Sequence, residues 1–198
     1  MKPLRWSGLA IPLVAFCAVQ PILAFQSPLS PESIRDAYFL GKEGSLRSAA
    51  VFAPYTRAFP QPKSGPDVST VQFETPYLVI ADQVSENQAG YFAPDAEKEF
   101  LGKPEICRVR VFVFFPLNDE ENFTVQLFQR DKEIDIQSKQ NRFLYSLTAD
   151  AEGEQTIGIE SDVAYAADKI DADDDATVRV TLDNGQVVET TFDLSQLK

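Results

Sequence analysis

The sequence contains no histidine, and its 198 residues include only one tryptophan, one methionine and two cysteines. Without histidine the chain cannot form a Ser-His-Asp triad, a Cys-His nucleophile pair or an imidazole metal site. Two cysteines, Cys17 and Cys107, are too few for a zinc site built on several thiolates. Catalysis by this chain would therefore depend on carboxylates or on a serine–lysine pair.

The first 24 residues have the order of an export signal. Lys2 and Arg5 form a short basic start, an apolar run follows, and Ala24 provides a small residue before a cut. Gln20 and Pro21 interrupt the run before it reaches the roughly 20 apolar residues that a membrane-spanning helix needs. We therefore predict a cleaved signal peptide and a mature chain without a stable membrane span.

Two alternatives concern this same segment. It could be retained as a signal anchor, or it could be cut before Cys17, as in a lipoprotein. The lipoprotein alternative is less favoured, because Phe16 stands where such signals have a small residue. Cleavage after Ala24 would make Phe25 the first mature residue and leave about 174 residues, enough for one domain with a substantial core.

Cleavage would also sharpen the acidic character of the chain, which carries 18 basic and 30 acidic residues and a net charge of −12. Removing Lys2 and Arg5 leaves 16 basic residues against the same 30 acidic ones, a net charge of −14. Such a surface repels phosphate backbones and anionic membranes. Cys107 would remain as a single cysteine, so no internal disulfide can form. We expect no nucleic-acid partner.

The tetrapeptide FLGK occurs twice, at residues 39–42 and 100–103. Both copies follow helix-start signals in which serine or aspartate stands beside proline. We predict two helices that each end at the glycine of the tetrapeptide, Gly41 or Gly102, in the left-handed conformation. The flanking residues do not align, so we interpret FLGK as a helix ending reached twice and not as a duplicated unit.

Apolar and polar residues alternate through most of the chain after residue 70, as in β-strands. The clearest strand covers residues 106–115, where Cys107 shares a wholly apolar face with three valines. Arg108 and Arg110 lie on the opposite face. We predict that Cys107 is a small buried residue and not a nucleophile.

Further strands are predicted at residues 71–80, 122–130, 142–148 and 155–161. The first of these should bend at Pro76. The last hairpin allows a prediction of register, since a two-residue turn would pair Val180 with Glu189 and bury a carboxylate. A three-residue loop over 183–185 pairs Val180 with Val188 instead, and it requires a left-handed Gly185.

About seven short antiparallel strands with polar turns predict a mainly β fold. We expect an immunoglobulin-like antiparallel β-sandwich preceded by a short helical N-terminal segment. The predicted organisation is a signal peptide over 1–24, a helical segment and proline-rich connector over 25–66, and a β-sandwich domain over 67–198. The Cys…Trp…Cys core of true immunoglobulin domains is absent, so the prediction concerns architecture alone.

Four stretches, "SPESIRDAYFLGK", "EFLGKP", "RVRV" and the ending "DNGQVVETTFDLSQLK", together resemble a family of uncharacterised exported bacterial proteins. The resemblance covers most of the mature chain. It implies a setting in the bacterial envelope or outside the cell. It carries no activity and no functional residues that could be transferred to this sequence.

The acidic stretch "KIDADDDATV" is the sharpest candidate site. Asp171, Asp173 and Asp175 occupy positions one, three and five of a calcium-loop pattern. Ala176 stands where the pattern requires glycine, and Leu182 stands where it requires glutamate. An acidic turn between strands is the favoured interpretation, and a weak calcium site that borrows ligands from elsewhere is the alternative. We assign no catalytic, cofactor-binding or metal-binding residue.

A carbohydrate-binding face would need exposed aromatic side chains, and the candidates are Tyr55, Phe59, Tyr91 and Phe92. Packing of these residues between helices and sheet is the favoured interpretation. The glycosylation triplet at residues 122–124 places its phenylalanine at an inward strand position, which favours a structural role.

The leading hypothesis is an exported, non-catalytic β-sandwich protein that acts as an interaction or structural module, periplasmic or extracellular. Its partner would be another protein or an envelope component. A hydrolase that uses carboxylates or a serine–lysine pair is the first alternative, and a weak calcium-dependent binding module is the second. Two acids facing each other across a cleft would favour the hydrolase, whereas an exposed apolar patch would favour the interaction module.

Overall fold

Two antiparallel sheets form the body of the protein in a computed structural model of the chain. The structure describes residues 25–43, 49–60, 67–86, 91–115, 122–146 and 155–198. The predicted signal peptide and most of the predicted proline-rich connector lie outside these residues.

The described residues form four α-helices and nine strands. The helices are α1 (Pro31–Lys42), α2 (Ala49–Phe52), α3 (Pro76–Glu86) and α4 (Ala93–Phe100). The strands are β1 (Thr56–Ala58), β2 (Asp67–Glu74), β3 (Ile106–Phe114), β4 (Phe123–Gln129), β5 (Lys132–Ile134), β6 (Ile136–Ser146), β7 (Gln155–Ala166), β8 (Asp175–Leu182) and β9 (Val187–Asp193).

The strands divide into a five-stranded sheet of order β1-β2-β3-β7-β6 and a four-stranded sheet of order β5-β4-β8-β9. The hydrophobic core lies between the sheets, where the rings of Phe73 on β2 and Phe192 on β9 stand 5.7 Å apart. The predicted mainly β, two-sheet fold is therefore confirmed. Its immunoglobulin-like character stays a prediction.

The alternating pattern of β3 translates directly into burial. Cys107, Val109, Val111 and Val113 are fully buried between the sheets, while the residues between them are only partly buried. Burying one valine side chain stabilises the fold by roughly 1.5–3 kcal/mol. The predicted burial of Cys107 is confirmed.

The register predicted for the last hairpin is also confirmed. Val180 of β8 pairs with Val188 of β9, and Gly185 in the connecting loop has a φ of 84°. The loop is closed by a hydrogen bond from the Leu182 N–H to the Gln186 carbonyl at 2.9 Å. The hydrophobic pattern and a left-handed glycine therefore fix this turn together.

The two FLGK copies end their helices differently. Gly102 follows α4 with a φ of 70°, so its predicted left-handed conformation is confirmed. The same prediction is wrong for Gly41, which lies inside α1 and has no positive φ. A β-carbon at Gly41 would stand 2.9 Å from the Cβ of Val84 on α3. The missing side chain at Gly41 lets α1 and α3 approach each other closely.

The predicted strand over residues 71–80 is wrong in its second half, because α3 begins at Pro76. Proline suits the first helical position, where its missing N–H has no partner to lose, and the Val79 N–H donates to the Thr75 carbonyl at 3.0 Å. Residues 77–81 are all buried, so the segment is apolar on every side. A continuous apolar run has no helical period to read in the sequence.

Candidate functional site

The acidic turn between β7 and β8 is organised around an arginine. Arg130 Nη2 lies 3.1 Å from Asp171 Oδ2, and Arg130 Nε lies 2.5 Å from Asp174 Oδ2. The other Asp171 oxygen accepts the Asp173 N–H at 3.1 Å, and Asp175 begins β8. In the part of the chain that the structure describes, no group of three acidic or cysteine side chains is placed to hold a metal ion. The calcium alternative gains no support from this geometry.

Three of the four candidate aromatic residues pack into the fold. Tyr55 is buried, and its hydroxyl accepts the Lys198 N–H at 3.0 Å. The Tyr91 hydroxyl donates to Glu99 at 2.6 Å, and Phe59 packs against the core. Phe92 is exposed. These positions do not form the shared exposed face that carbohydrate binding would need.

Cys107 lies on the inner face of β3 with no exposed surface. Burial raises the pKa of its thiol well above the ordinary value, and the nearby Glu105 carboxylate raises it further. A thiol held in its protonated form is a poor nucleophile. The surroundings of Cys107 therefore support the prediction that it is a buried packing residue and not a nucleophile.

A charged cluster that sequence analysis missed lies on the outer face of the five-stranded sheet, beside α3. Its members are Glu74, Asp82, Arg108, Arg110, Arg142, Glu160 and Asp162. Sheet register brings most of them together, since Glu74 of β2 is opposite Arg108 of β3 and Arg110 is opposite Asp162 of β7. Arg110 Nε lies 2.8 Å from Asp162 Oδ1.

Three arginines face four carboxylates in this cluster, which leaves one negative charge in excess. Glu74 is fully buried, and burial raises the pKa of its carboxyl to about 7. Attraction to Arg108 and Arg110 offsets part of this rise, while repulsion from Asp82 adds to it. Protonation of Glu74 balances the charges in the cluster.

A cleft of about 460 Å³ opens over this cluster, lined by Glu160 and Asp162 among others. Arg142 Nη2 lies 2.5 Å from Glu160 Oε1, and Arg110 holds Asp162. Both of these carboxylates are therefore engaged by a guanidinium, while Glu86 lines the rim of the same cleft. This is the pattern of an ion-pair network that joins strands, not of two free acids across a glycosidic bond.

A larger cavity of about 740 Å³ lies beside the N-terminal segment and is lined by Phe25, Pro28, Glu105 and Ile170 among others. The Leu29 N–H donates to Glu105 Oε1 at 2.7 Å. Glu105 Oε2 is buried without a hydrogen-bond partner among the described residues. The carboxylate therefore fixes the N-terminal segment through one oxygen only.

One edge of the five-stranded sheet is the three-residue β1, and the other is β6, which pairs with β7 and with no second strand among the described residues. β6 has 11 residues and is exposed along nearly its whole length. The exposed fractions are 45% for Ile136, 42% for Phe143 and 53% for Tyr145. Register shifts occur near both ends and leave a regular run over 138–144.

The inner face of β6 is covered only in part by the opposite sheet. Phe143 is opposite the buried Ile159 of β7, and Ile136 is opposite the buried Tyr165, so both project toward the space between the sheets. The opposite sheet ends at the three-residue β5, which reaches only the last part of β4. Two large apolar side chains at inward positions therefore stay exposed to water.

Lys139 lies between them on the same inner face, opposite the buried Val163. Its Nζ donates to the Phe123 carbonyl at 3.1 Å and stands 4.9 Å from the centre of the Phe123 ring. Burial lowers the pKa of this amine below its ordinary value. Lys139 forms no salt bridge with any residue in the described ranges. An inward-pointing lysine is a common device against indiscriminate strand pairing.

A scan against protein-family models found no match, and no curated protein matches the chain. Within the described ranges, no helix combines the length and the apolar character needed to cross a bilayer. The resemblance to exported bacterial proteins stays a prediction.

Proposed function

We propose that the protein is exported and acts as a non-catalytic interaction module of the bacterial envelope or exterior. The observation that carries this proposal is β6, a long edge strand whose inward apolar side chains are exposed. Edge strands of this length are usually covered, shortened or interrupted in proteins that act alone. The regular run over 138–144 is an open template for contact with another molecule.

The export part of the proposal depends on the sequence. The basic start, the apolar run and Ala24 have the order of a cleaved signal. The non-catalytic part is supported by the charged cluster, whose carboxylates are engaged by arginines. A buried cysteine with a raised pKa agrees with the same conclusion.

Site-directed photo-crosslinking in intact bacterial cells tests the proposal. A benzoylphenylalanine replaces Phe143 in one variant and Thr191, an exposed residue of β9 on the opposite sheet, in a control variant. We expect a discrete crosslinked product from position 143 in the envelope or secreted fraction and none from position 191. Absence of any product at 143, or equal products at both positions, would contradict a specific interaction through this edge.

A further inference from the structure

From the contacts of β6 we infer that its partner is an extended segment of another protein, which adds to the sheet as a further strand and places a carboxylate beside Lys139. This deepens the proposed function by naming the chemistry of the partner, and it rests on that function. The segment would also carry a large apolar side chain against Phe143.

Backbone pairing supplies the first part of the recognition. Alternate N–H and C=O groups of an edge strand point away from its one neighbour, and a strand laid alongside satisfies them. The regular run over 138–144 lies between the two register shifts, so it presents these groups at even spacing. The shifts limit the length that can pair without interruption.

Charge selects the partner. β6 contains Lys139 and Arg142 and no acidic residue, although the whole chain has a net charge of −12. Lys139 is exposed and forms no salt bridge in the described ranges, so a carboxylate at its side would pair a charge that now meets only a carbonyl and a ring. Arg142 is 67% exposed and shares its one carboxylate, Glu160, with Arg110. An acidic segment fits this strip.

A second copy of the chain is a less suitable partner for β6 than an acidic segment. It would bring the same two cations on its own β6 and a body of net charge −12. Two such bodies repel each other over the Debye length of about 8 Å in physiological salt. An inward lysine also disfavours pairing of two identical edges, because neither edge offers a carboxylate for it.

Side-chain spacing then defines the segment. Lys139 and Phe143 are four residues apart on one face of β6, because successive residues of a strand alternate between faces. The partner should therefore present a carboxylate and a large apolar residue four positions apart. Their order along the partner depends on whether it runs parallel or antiparallel to β6.

Two synthetic peptides of identical composition test this, TTETVTLTT and its reversal TTLTVTETT, each blocked at both ends. Binding is measured by fluorescence anisotropy at low and high salt. We expect one of the two to bind at least tenfold more tightly than the same peptide with lysine in place of glutamate, and its affinity to fall with salt. The peptide that binds reports the strand direction.

Matched variants assign the preference to its residues. Lys139→Gln should abolish the tenfold preference for glutamate over lysine, whereas Lys169→Gln, the same charge change at an exposed residue after β7, should preserve it. Phe143→Ser should weaken binding of both peptides by at least tenfold. Circular dichroism and melting curves confirm that each variant is folded. A preference that survives Lys139→Gln overturns the inference.

Alternate N-methylation of the binding peptide tests strand pairing itself. An added edge strand directs every second N–H toward the sheet, so methylation of one alternate set should abolish binding and methylation of the other should be tolerated. Equal binding of both methylated peptides would overturn strand addition. If neither parent peptide binds at about 1 mM, or if the chain dimerises through Phe143, the inference is wrong, while a crosslinked product at position 143 would still support the broader function.

Discussion

The charged cluster and the β6 edge belong to the same sheet, but the cations of the cluster are paired with carboxylates and, within the described ranges, the lysine of the edge is not. In the cluster, Arg110 is largely buried and reaches Asp82 at 3.2 Å and Asp162 at 2.8 Å. At the edge, Lys139 meets only a backbone carbonyl and an aromatic ring among the described residues. The difference follows from what covers each region, since α3 lies over the cluster and the opposite sheet covers the inner face of β6 only in part. The arginines of the cluster are paired with carboxylates of the same chain and stabilise the fold. Lys139, unpaired in the part of the chain that the structure describes, is instead available to the carboxylate of a partner.

The largest expected change in stability distinguishes a buried arginine of the cluster from an exposed one. Arg110→Met should lower the free energy of unfolding by about 3–5 kcal/mol, because it removes a largely buried cation and leaves four carboxylates facing only two arginines. Arg142→Met should lower it by about 1 kcal/mol or less, since that guanidinium is 67% exposed. Methionine retains the apolar stem of arginine in both variants. Urea unfolding of the two variants beside the wild type measures the contrast, and equal losses would contradict it.

The second effect depends on pH and concerns Glu74. Its folded-state pKa of about 7 lies above its ordinary value of 4.5, so the folded protein retains this proton over a pH range in which the unfolded chain has lost it. Stability from this group is therefore complete below pH 4.5 and is lost as pH rises through 7. The full loss is about 3 kcal/mol.

Glu74→Gln provides the matched measurement, because it leaves three arginines against three carboxylates at every pH. Free energies of unfolding at pH 5, 6, 7 and 8 should fall more steeply in the wild type than in the variant. Other titrating groups are common to both proteins and cancel in the comparison. Parallel curves would mean that Glu74 is ionised in the folded protein throughout.

Local patterns in the sequence were sufficient for β3 and the last hairpin. Alternation places Val109 and Val111 inside because side chains of a strand point to opposite faces. The pairing of Val180 with Val188 follows from a turn and its two flanking strands, all within a few residues. Features of this kind need no knowledge of the rest of the chain.

The candidate site could not be predicted in the same way, because its residues meet only after the sheet order is known. Arg108 and Arg110 stand out in the sequence, but Asp82 comes from α3, which was predicted as part of a strand. A strand over 142–148 was predicted around Phe143, but β6 begins at Ile136, and its position at the edge depends on the order β3-β7-β6. Alternation in the sequence predicts which face of a strand a residue occupies, but it does not predict which strand lies beside it.

The packing of α1 on α3, the helix beside the cluster, provides the next test. Gly41→Ala should destabilise the protein by about 2 kcal/mol, because a new β-carbon meets the Ala81 carbonyl and Val84 where α1 crosses α3. This outweighs the helix propensity of about 1 kcal/mol that alanine gains over glycine. Gly102→Ala meets no atom within 4 Å, and only its φ of 70° opposes it, at about 1 kcal/mol. Melting curves rank the two, and a larger loss at Gly102 would contradict the close approach of α1 and α3.

The smallest expected effect on stability is at the β6 edge. It tests whether Phe143 stabilises the isolated protein or is available to a partner. Phe143→Ala should lower the free energy of unfolding by less than about 1 kcal/mol, because the residue is already 42% exposed to water. Phe73→Ala, the same substitution at a fully buried position of the same sheet, should lower it by about 3–5 kcal/mol. Urea unfolding of both variants makes the measurement. A large loss at Phe143 would show that this ring stabilises the isolated protein and is not held ready for a partner. A small loss together with weakened peptide binding is the outcome expected of an edge strand that a second protein completes.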